Sequence, residues 1–193
     1  MPGVESWWAA SYVILWLLVV VLCFVVVALA RQVGTLHLRL GPRGALELDD
    51  EGPPIGDAPV PAELTGIDGR RVDVGGPGAA QVLLFVSPGC HLCEEVLPSI
   101  GVAARTKDMT PIVLVDADPL ETKHLFETRK LGAAVAPATQ LAAAYGVPGT
   151  PYVVVLDALG IVRAKGTVNN LEQLEGLIDT AVQRERAQAR AAG

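Results

Sequence analysis

The sequence predicts an α/β domain with a mixed central sheet flanked by helices, preceded by an N-terminal transmembrane helix. Residues 7–29 carry no charge, and short apolar runs alternate with helix-length segments between residues 82 and 182. A pair of cysteines, Cys90 and Cys93, closely follows the first of these apolar runs. Apolar runs that alternate with helices are typical of a sheet buried on both faces, and about 130 residues suffice for such a core.

Residues 7–30 are predicted to form a membrane anchor, after a short flank at residues 1–6. The uncharged stretch is long enough to span a hydrocarbon core of about 30 Å at about 1.5 Å per residue. A cleaved signal peptide is the alternative, because Ala28-Leu29-Ala30 resembles a cleavage site. The stretch is longer than a normal signal-peptide core, and no Lys or Arg precedes it, so we favour a retained anchor.

Charge and cysteine content limit the possible functions. The 193-residue chain has a net charge of -6 at pH 7, which argues against a nucleic-acid partner. Cys23 lies within the predicted anchor, where we expect an inert apolar side chain. Cys90 and Cys93 are the other two of the three cysteines, so the soluble part has no structural disulfide framework.

The predicted elements follow from local patterns. Residues 31–55 indicate a juxtamembrane linker, because Gly, Pro and acidic residues interrupt them, and the compact domain is predicted at residues 56–185. The turn dipeptide Asp68-Gly69 predicts a hairpin. Its strands and the later ones are predicted at residues 62–65, 70–74, 82–86, 112–116, 152–156 and 161–166. Helices are predicted at residues 90–105, 119–130 and 139–145 and from residue 171, with a polar tail at 186–193 that we expect to fray.

Cys90 and Cys93 are the candidate catalytic residues. Residues three apart lie on one face of a helix, so their sulfurs are close enough to form a disulfide. Cys90 is at the predicted helix N-terminus, where unpaired N–H groups and the helix dipole favour a thiolate. We therefore predict that Cys90 is the nucleophile and that Cys93 resolves the mixed disulfide.

A metal site is the weaker interpretation of the two cysteines. Zinc would need two further ligands, and the available histidines, His37, His91 and His124, are poorly spaced for that purpose. We expect no metal and no organic cofactor.

Three further residues are candidates for tuning or substrate contact. His91 lies between the cysteines and, when protonated, would stabilise the Cys90 thiolate; the alternative is a solvated side chain without a role. Thr150 and Pro151 precede an apolar strand. A cis bond there would turn the Thr150 backbone towards the dithiol, where it could pair with a substrate chain.

Several motifs together resemble the thioredoxin superfamily. They are the C-x-x-C helix after a buried strand, Pro98 within that helix, and residues 145–151 before another strand. Pro98 is expected to kink the helix; alternatively the helix ends before it. The resemblance covers about residues 56–185 and implies a thioredoxin fold. Residues 56–59 and the hairpin resemble its membrane-anchored extracytoplasmic branch, including cytochrome-maturation relatives.

A narrower resemblance is to the methylamine utilisation protein MauD family. Residues 29–37, 41–46, 85–90 and 164–175 match its pattern, and with the anchor the likeness runs nearly end to end. The resemblance implies a role in maturing the disulfide-rich small subunit of methylamine dehydrogenase, a periplasmic quinoprotein, together with an unidentified redox partner. It also implies that Pro151 is a cis-proline. His91 departs from the family, which typically has proline after the first cysteine, and this leaves the redox poise open.

The predicted location of the domain rests on conflicting indications. Arg31, Arg39 and Arg43 follow the anchor, and the positive-inside rule would place the domain in the cytoplasm. The family implies an extracytoplasmic domain on a single-pass anchor, and whole domains can translocate regardless of charge. We therefore predict that the domain is extracytoplasmic, as the family resemblance implies.

Alternative functions remain open from the sequence. One is an extracytoplasmic thiol reductase of the cytochrome-maturation type. Another is a tethered chaperone or binding module whose dithiol is incidental. A peroxidase is less favoured, because no arginine partner for Cys90 is evident in the sequence.

Overall fold

The computed structural model describes residues 7–8, 11–26 and 51–191. The chain divides into two compact units, residues 1–42 and 43–193. In the first unit, residues 7–8 and 11–26 are helical. Within the described residues, we find no helix that is both long enough and apolar enough to cross a membrane. The predicted flank 1–6, anchor residues 9–10 and 27–30, linker residues 31–50 and tail residues 192–193 lie outside the described part.

The second unit alternates strands and helices in the predicted manner. Its strands are β1 (Ala62–Thr65), β2 (Arg71–Val74), β3 (Gln81–Val86), β4 (Thr110–Val115), β5 (Ala134–Pro137), β6 (Tyr152–Leu156) and β7 (Val162–Thr167). Its helices are α1 (His91–Arg105), α2 (Pro119–Phe126), α3 (Thr139–Ala144) and α4 (Leu171–Ala191). Pro98 lies inside α1, and the helix continues past it to Arg105.

A five-stranded mixed sheet organises this unit, in the order β5-β4-β3-β6-β7. The strands β3, β4 and β5 run parallel to one another, whereas β6 and β7 are antiparallel to their neighbours. The hairpin β1-β2 forms a separate two-stranded sheet. The mixed sheet with flanking helices confirms the predicted thioredoxin-like architecture. It also places the end of β3, where α1 begins, beside the start of β6.

The central strand β3 separates two apolar cores. Val82, Leu84 and Val86 face a cluster that includes buried residues of α1 and α4. Leu83 and Phe85 face a second cluster that includes residues of β2 and α3. Because alternate residues of a strand point to opposite faces, a strand covered on both faces must be apolar throughout. This explains the uninterrupted apolar run at residues 82–86.

The sequence prediction omitted the strand β5. Its residues, Ala-Val-Ala-Pro, are few and small, so no apolar run distinguishes them locally. They form a strand because β4 offers a free edge, with Val113 paired to Val135 and Leu114 to Ala136. Parallel pairing of this kind joins residues distant in sequence, which a local pattern does not reveal.

One predicted helix boundary also differs. The helix predicted at 119–130 ends at Phe126, after which the Arg129 amide bonds back to the Phe126 carbonyl in a turn. The last helix runs to Ala191, and in it Arg184 and Gln188 hydrogen-bond to Arg163 of β7. Before residue 56, the Gly52 amide donates to the Gly146 carbonyl in the loop that precedes β6. The domain bounds at residues 56 and 185 stay a prediction.

Candidate functional site

The site is built around a disulfide between Cys90 and Cys93. Their Cα atoms are 5.3 Å apart, within the usual range for a disulfide. Cys90 is half-buried, whereas Cys93 is only 2% exposed, because it lies on the face of α1 that packs against the sheet. Cys90 is therefore the more accessible of the two cysteines. The order of attack stays a prediction.

The start of α1 holds the Cys90 sulfur in a favourable position for an anion. The Cys93 amide donates to Cys90 Sγ at 3.2 Å, so the sulfur occupies the N-cap position of the helix. Gly89 has φ +73°, a conformation that glycine adopts without strain, and it completes the turn from β3 into the helix. An N–H donor and the positive end of the helix dipole both lower the energy of a thiolate formed at Cys90 on reduction.

Thr150 and Pro151 lie beside the disulfide, as the sequence suggested. The Thr150–Pro151 peptide bond is cis. The Thr150 carbonyl oxygen lies 3.6 Å from Cys90 Sγ. In the disulfide this sulfur carries no hydrogen, so the approach is a contact; in the reduced state the Cys90 thiol can donate to that oxygen. Ser87, in the turn before Cys90, bonds to the Thr150 hydroxyl, with Oγ and Oγ1 2.6 Å apart.

A small pocket opens on the α2 side of the disulfide. Its lining includes Cys90 and Cys93 together with Leu97 of α1 and Phe126 and Arg129 at the end of α2. The lining also includes Ser87 and Glu94, so the walls combine apolar side chains with one cationic and one anionic side chain.

Arg129 is held at this pocket by two interactions. Its guanidinium pairs with Glu94 at 3.3 Å and lies over the Phe126 ring, 5.4 Å from the ring centre. Glu94 directly follows Cys93, and its charge would otherwise oppose a thiolate nearby. The ion pair with Arg129 offsets that charge.

His91 occupies the first residue of α1 and is exposed. No contact that would fix its ring against Cys90 is found in the described part of the chain. Its tuning role stays a prediction. The β3 residues that face the α1 core are Val82, Leu84 and Val86, and all three are buried and apolar, so β3 supplies no carboxylate base beneath the site. Asp118 caps α2 by accepting hydrogen bonds from the Leu120 and Glu121 amides.

Two residues of the site were missed from the sequence. The sequence assigned no role to Ser87, and it gave no arginine partner for Cys90. The sequence carried a weak signal for Ser87, which lies in the turn next to the dithiol. It carried none for Arg129, because 35 residues separate it from Glu94. No group of three or more His, Cys, Asp or Glu side chains within residues 7–8, 11–26 and 51–191 is arranged to hold a metal ion.

Solved structures share this fold at low sequence identity. The exposed lipoprotein thioredoxin Etrx1 of Streptococcus pneumoniae matches with a TM-score of 0.55 and 19% identity, over 64% of this chain and 99% of that chain. StoA of Bacillus subtilis matches with a TM-score of 0.52 and 16% identity, over 62% and 97%. The fold is therefore thioredoxin-like. With a C-x-x-C pair at disulfide distance, the chain is a thiol–disulfide oxidoreductase.

Sequence comparison gives a closer relationship. No protein-family model matches the chain. The methylamine utilization protein MauD of Paracoccus denitrificans is 36% identical over 178 residues, which are 90% of this chain and 88% of that protein. The MauD of Methylorubrum extorquens is 35% identical over 174 residues, 88% of this chain and 84% of that protein. At this identity and coverage, the chain belongs to the MauD family of methylamine utilization proteins.

Proposed function

We propose that the chain is a membrane-anchored, extracytoplasmic thiol–disulfide oxidoreductase that forms or exchanges disulfides in the small subunit of methylamine dehydrogenase. The observation that carries the exchange chemistry is the position of Cys90. Its sulfur is half-buried at a helix N-terminus, 3.6 Å from the Thr150 carbonyl, while Cys93 is buried behind it. The MauD relatives, which are named for methylamine utilization, support the choice of client.

In the oxidising direction, a client thiolate attacks Cys90 Sγ. A client–Cys90 disulfide forms, the Cys90–Cys93 bond breaks, and Cys93 leaves as a thiolate. A second client thiolate then attacks the client sulfur of the mixed disulfide and releases Cys90 as a thiolate. The client loses two electrons and gains a disulfide, and the protein becomes the dithiol. A separate disulfide-bearing redox partner must then reoxidise the pair.

The Thr150 backbone is the proposed docking point for the client chain. Pro151 cannot donate a hydrogen bond, so the β3–β6 ladder does not continue through it, and its last Cα pair is Phe85 with Tyr152. An extended client segment that runs past Thr150 can pair with its backbone groups in strand fashion. Such pairing would hold a client sulfur within reach of Cys90.

Anchoring and location are also part of the proposal. Residues 7–29 carry no charge and are long enough for a single span, and the family resemblance favours an extracytoplasmic domain. Labelling of intact cells with a membrane-impermeant maleimide, with and without prior reductant, tests whether the domain is extracytoplasmic. Labelling of Cys90 without lysis supports the external location, and labelling that requires lysis contradicts it.

The client is examined by trapping. Cys93→Ser removes the resolving thiolate, so a mixed disulfide between Cys90 and the client should accumulate and include the methylamine dehydrogenase small subunit. Cys90→Ser is the matched control, because it lacks the exposed nucleophile and should trap nothing. Normal maturation of the subunit in a Cys90→Ser strain would favour a chaperone whose dithiol is incidental.

The direction of electron flow follows from the reduction potential of the pair. A value near that of DsbA, about -120 mV, supports a disulfide donor, whereas a value near that of thioredoxin, about -270 mV, favours the thiol reductase. Equilibration with glutathione or dithiothreitol buffers, followed by alkylation, measures it.

A further inference from the structure

Ser87 and Thr150 join the two loops of the site. Ser87 lies between β3 and α1, Thr150 lies directly before the start of β6, and their hydroxyl oxygens are 2.6 Å apart. The register of the sheet explains this contact. Phe85 pairs with Tyr152 in the antiparallel β3–β6 ladder, so the next pair on the same face would join residues 87 and 150.

The hydroxyl bond replaces the missing part of that ladder. Pro151 has no amide hydrogen, and the last Cα pair of the β3–β6 ladder is Phe85 with Tyr152. Beyond it, the side chains of Ser87 and Thr150 provide a direct hydrogen bond between the two chain segments. Neither hydroxyl has another hydrogen-bond partner in the described part of the chain.

Both residues joined by this bond also contact Cys90. The Cys90 amide bonds to the Ser87 carbonyl at 3.3 Å, so Ser87 is part of the turn that places Cys90. The same residue holds Thr150 by its side chain, and the Thr150 carbonyl oxygen lies 3.6 Å from Cys90 Sγ. Ser87 thus links the position of the attacking sulfur to the position of the backbone at which a client would dock.

We infer that Ser87 is a positioning residue, whose hydroxyl holds Thr150 in register with Cys90 and thereby favours exchange with extended polypeptide disulfides over small disulfides. The inference rests on the proposed docking of a client chain along the Thr150 backbone. Ser87 transfers no proton or electron in this scheme. The Cys90 thiolate attacks the substrate disulfide and expels one thiolate. Cys93 then attacks Cys90 Sγ and releases the other, so two electrons pass to the substrate.

The experiment compares two substrates with the reduced, full-length protein in detergent. One is cystamine, which has no peptide backbone. The other is a short, extended peptide whose single cysteine forms a mixed disulfide with cysteamine. Both contain cysteamine, so they differ mainly in the peptide chain. The quantity measured is the ratio of kcat/KM for the peptide to kcat/KM for cystamine.

The variants are Ser87→Ala, Thr150→Val, the double variant, and Ser87→Thr, which keeps the hydroxyl. Ser99→Ala is the matched control, because it makes the same change in α1, away from Thr150. Each of the first two should lower the ratio by about threefold to tenfold, the effect expected for loss of one hydrogen bond. The double variant should lower it no further than either single change, and Ser87→Thr should keep most of it.

Several outcomes would overturn the inference. If Ser87→Ala slows both substrates equally, its effect is structural. If the effects of Ser87→Ala and Thr150→Val multiply, the two hydroxyls act separately. If the wild type itself shows no preference for the peptide, the proposed docking along Thr150 fails, and the role of Ser87 fails with it. If the wild-type preference exists and survives Ser87→Ala, only the role of Ser87 fails.

Discussion

The Tyr152 hydroxyl donates a hydrogen bond to the backbone carbonyl of Glu51, 2.9 Å away and 101 residues earlier in the chain. Tyr152 follows Pro151 directly and is only 2% exposed. Gly52, the residue after Glu51, donates its amide hydrogen to the Gly146 carbonyl. Residues 51 and 52 therefore contact both ends of the loop that carries Thr150. These two hydrogen bonds attach residues 51–52 to the loop beside the disulfide.

Further along, the same segment extends the sheet. The Gly56 amide donates to the Val162 carbonyl, and the Val162 amide donates to the Asp57 carbonyl, both at 2.9 Å. These reciprocal bonds pair residues 56–57 with the edge strand β7. Edge strands expose unpaired backbone groups, and this segment covers part of that edge.

Tyr152→Phe should lower the free energy of unfolding by about 1 kcal/mol, because it leaves the Glu51 carbonyl without this donor while keeping the aromatic ring. Urea denaturation of the full-length protein measures the loss. Amide hydrogen exchange at Gly52 should also become faster. Unchanged exchange at Gly52 would show that the Tyr152 hydroxyl does not hold this segment.

Tyr145→Phe is the matched comparison and should have the opposite outcome at neutral pH. The Tyr145 hydroxyl is buried and has no hydrogen-bond partner among the described residues. Removing it should leave stability unchanged or raise it by up to about 1 kcal/mol, since an unsatisfied buried hydroxyl is costly. A clear loss of stability in urea denaturation would indicate a hydrogen bond to Tyr145 in solution.

The same tyrosine should affect stability at alkaline pH. Burial raises the pKa of Tyr145 from 10.0 to about 12. Above pH 10 the unfolded chain releases this proton while the folded chain retains it, so stability falls as pH rises towards 12, by at most about 2–3 kcal/mol. Tyr145→Phe should make the alkaline fall shallower. Equal slopes for the variant and the wild type between pH 10 and 12 would contradict the shifted pKa.

Asp157→Ala should lower the free energy of unfolding by about 3–5 kcal/mol, because it leaves the buried Arg163 cation unpaired. Asp157 Oδ2 lies 2.5–2.7 Å from the Arg163 guanidinium nitrogens, and both side chains are nearly inaccessible. Asp157 also accepts from the Leu159 amide in the turn before β7.

Asp179→Ala provides the control for that prediction. It removes the exposed Asp179–Lys107 pair, whose atoms are 2.7 Å apart, and should cost less than about 1 kcal/mol. Losses of similar size for the Asp157 and Asp179 variants in chemical denaturation would show that burial does not strengthen the Asp157–Arg163 pair.

Gly101→Ala should destabilise the domain by about 1–3 kcal/mol, although alanine is normally the better helix residue. Gly101 is buried in α1, and an added methyl group would overlap the Leu131 carbonyl oxygen. The control is Gly78→Ala, because Gly78 has open space around its Cα and no left-handed φ. This control should be neutral or slightly stabilising. A stabilised Gly101→Ala variant would mean that the loop before β5 shifts to accommodate the methyl group without lowering the free energy of unfolding.

An element of the fold could be predicted where its own residues form a recognisable pattern of apolar and polar side chains. The runs at residues 82–86 and 152–156 were recognisable because strands buried on both faces are apolar throughout. The strand Ala134–Pro137 was missed because its pairing with β4, rather than its composition, makes it a strand. The contacts at the end of α4 were not predictable for a related reason, since its polar residues are held by Arg163 on a distant strand.

The sequence by itself determined the chemistry: two cysteines three residues apart, at the start of a helix that follows a buried strand, specify a redox dithiol. That inference needs only local spacing and helix geometry. The tertiary structure alone decided which groups contact one another around this site. Thr150 meets Ser87, Arg129 meets Glu94, and Glu51 meets Tyr152, in each case across at least 35 residues of chain. Such contacts depend on strand order and register, which the periodicity of one sequence does not encode.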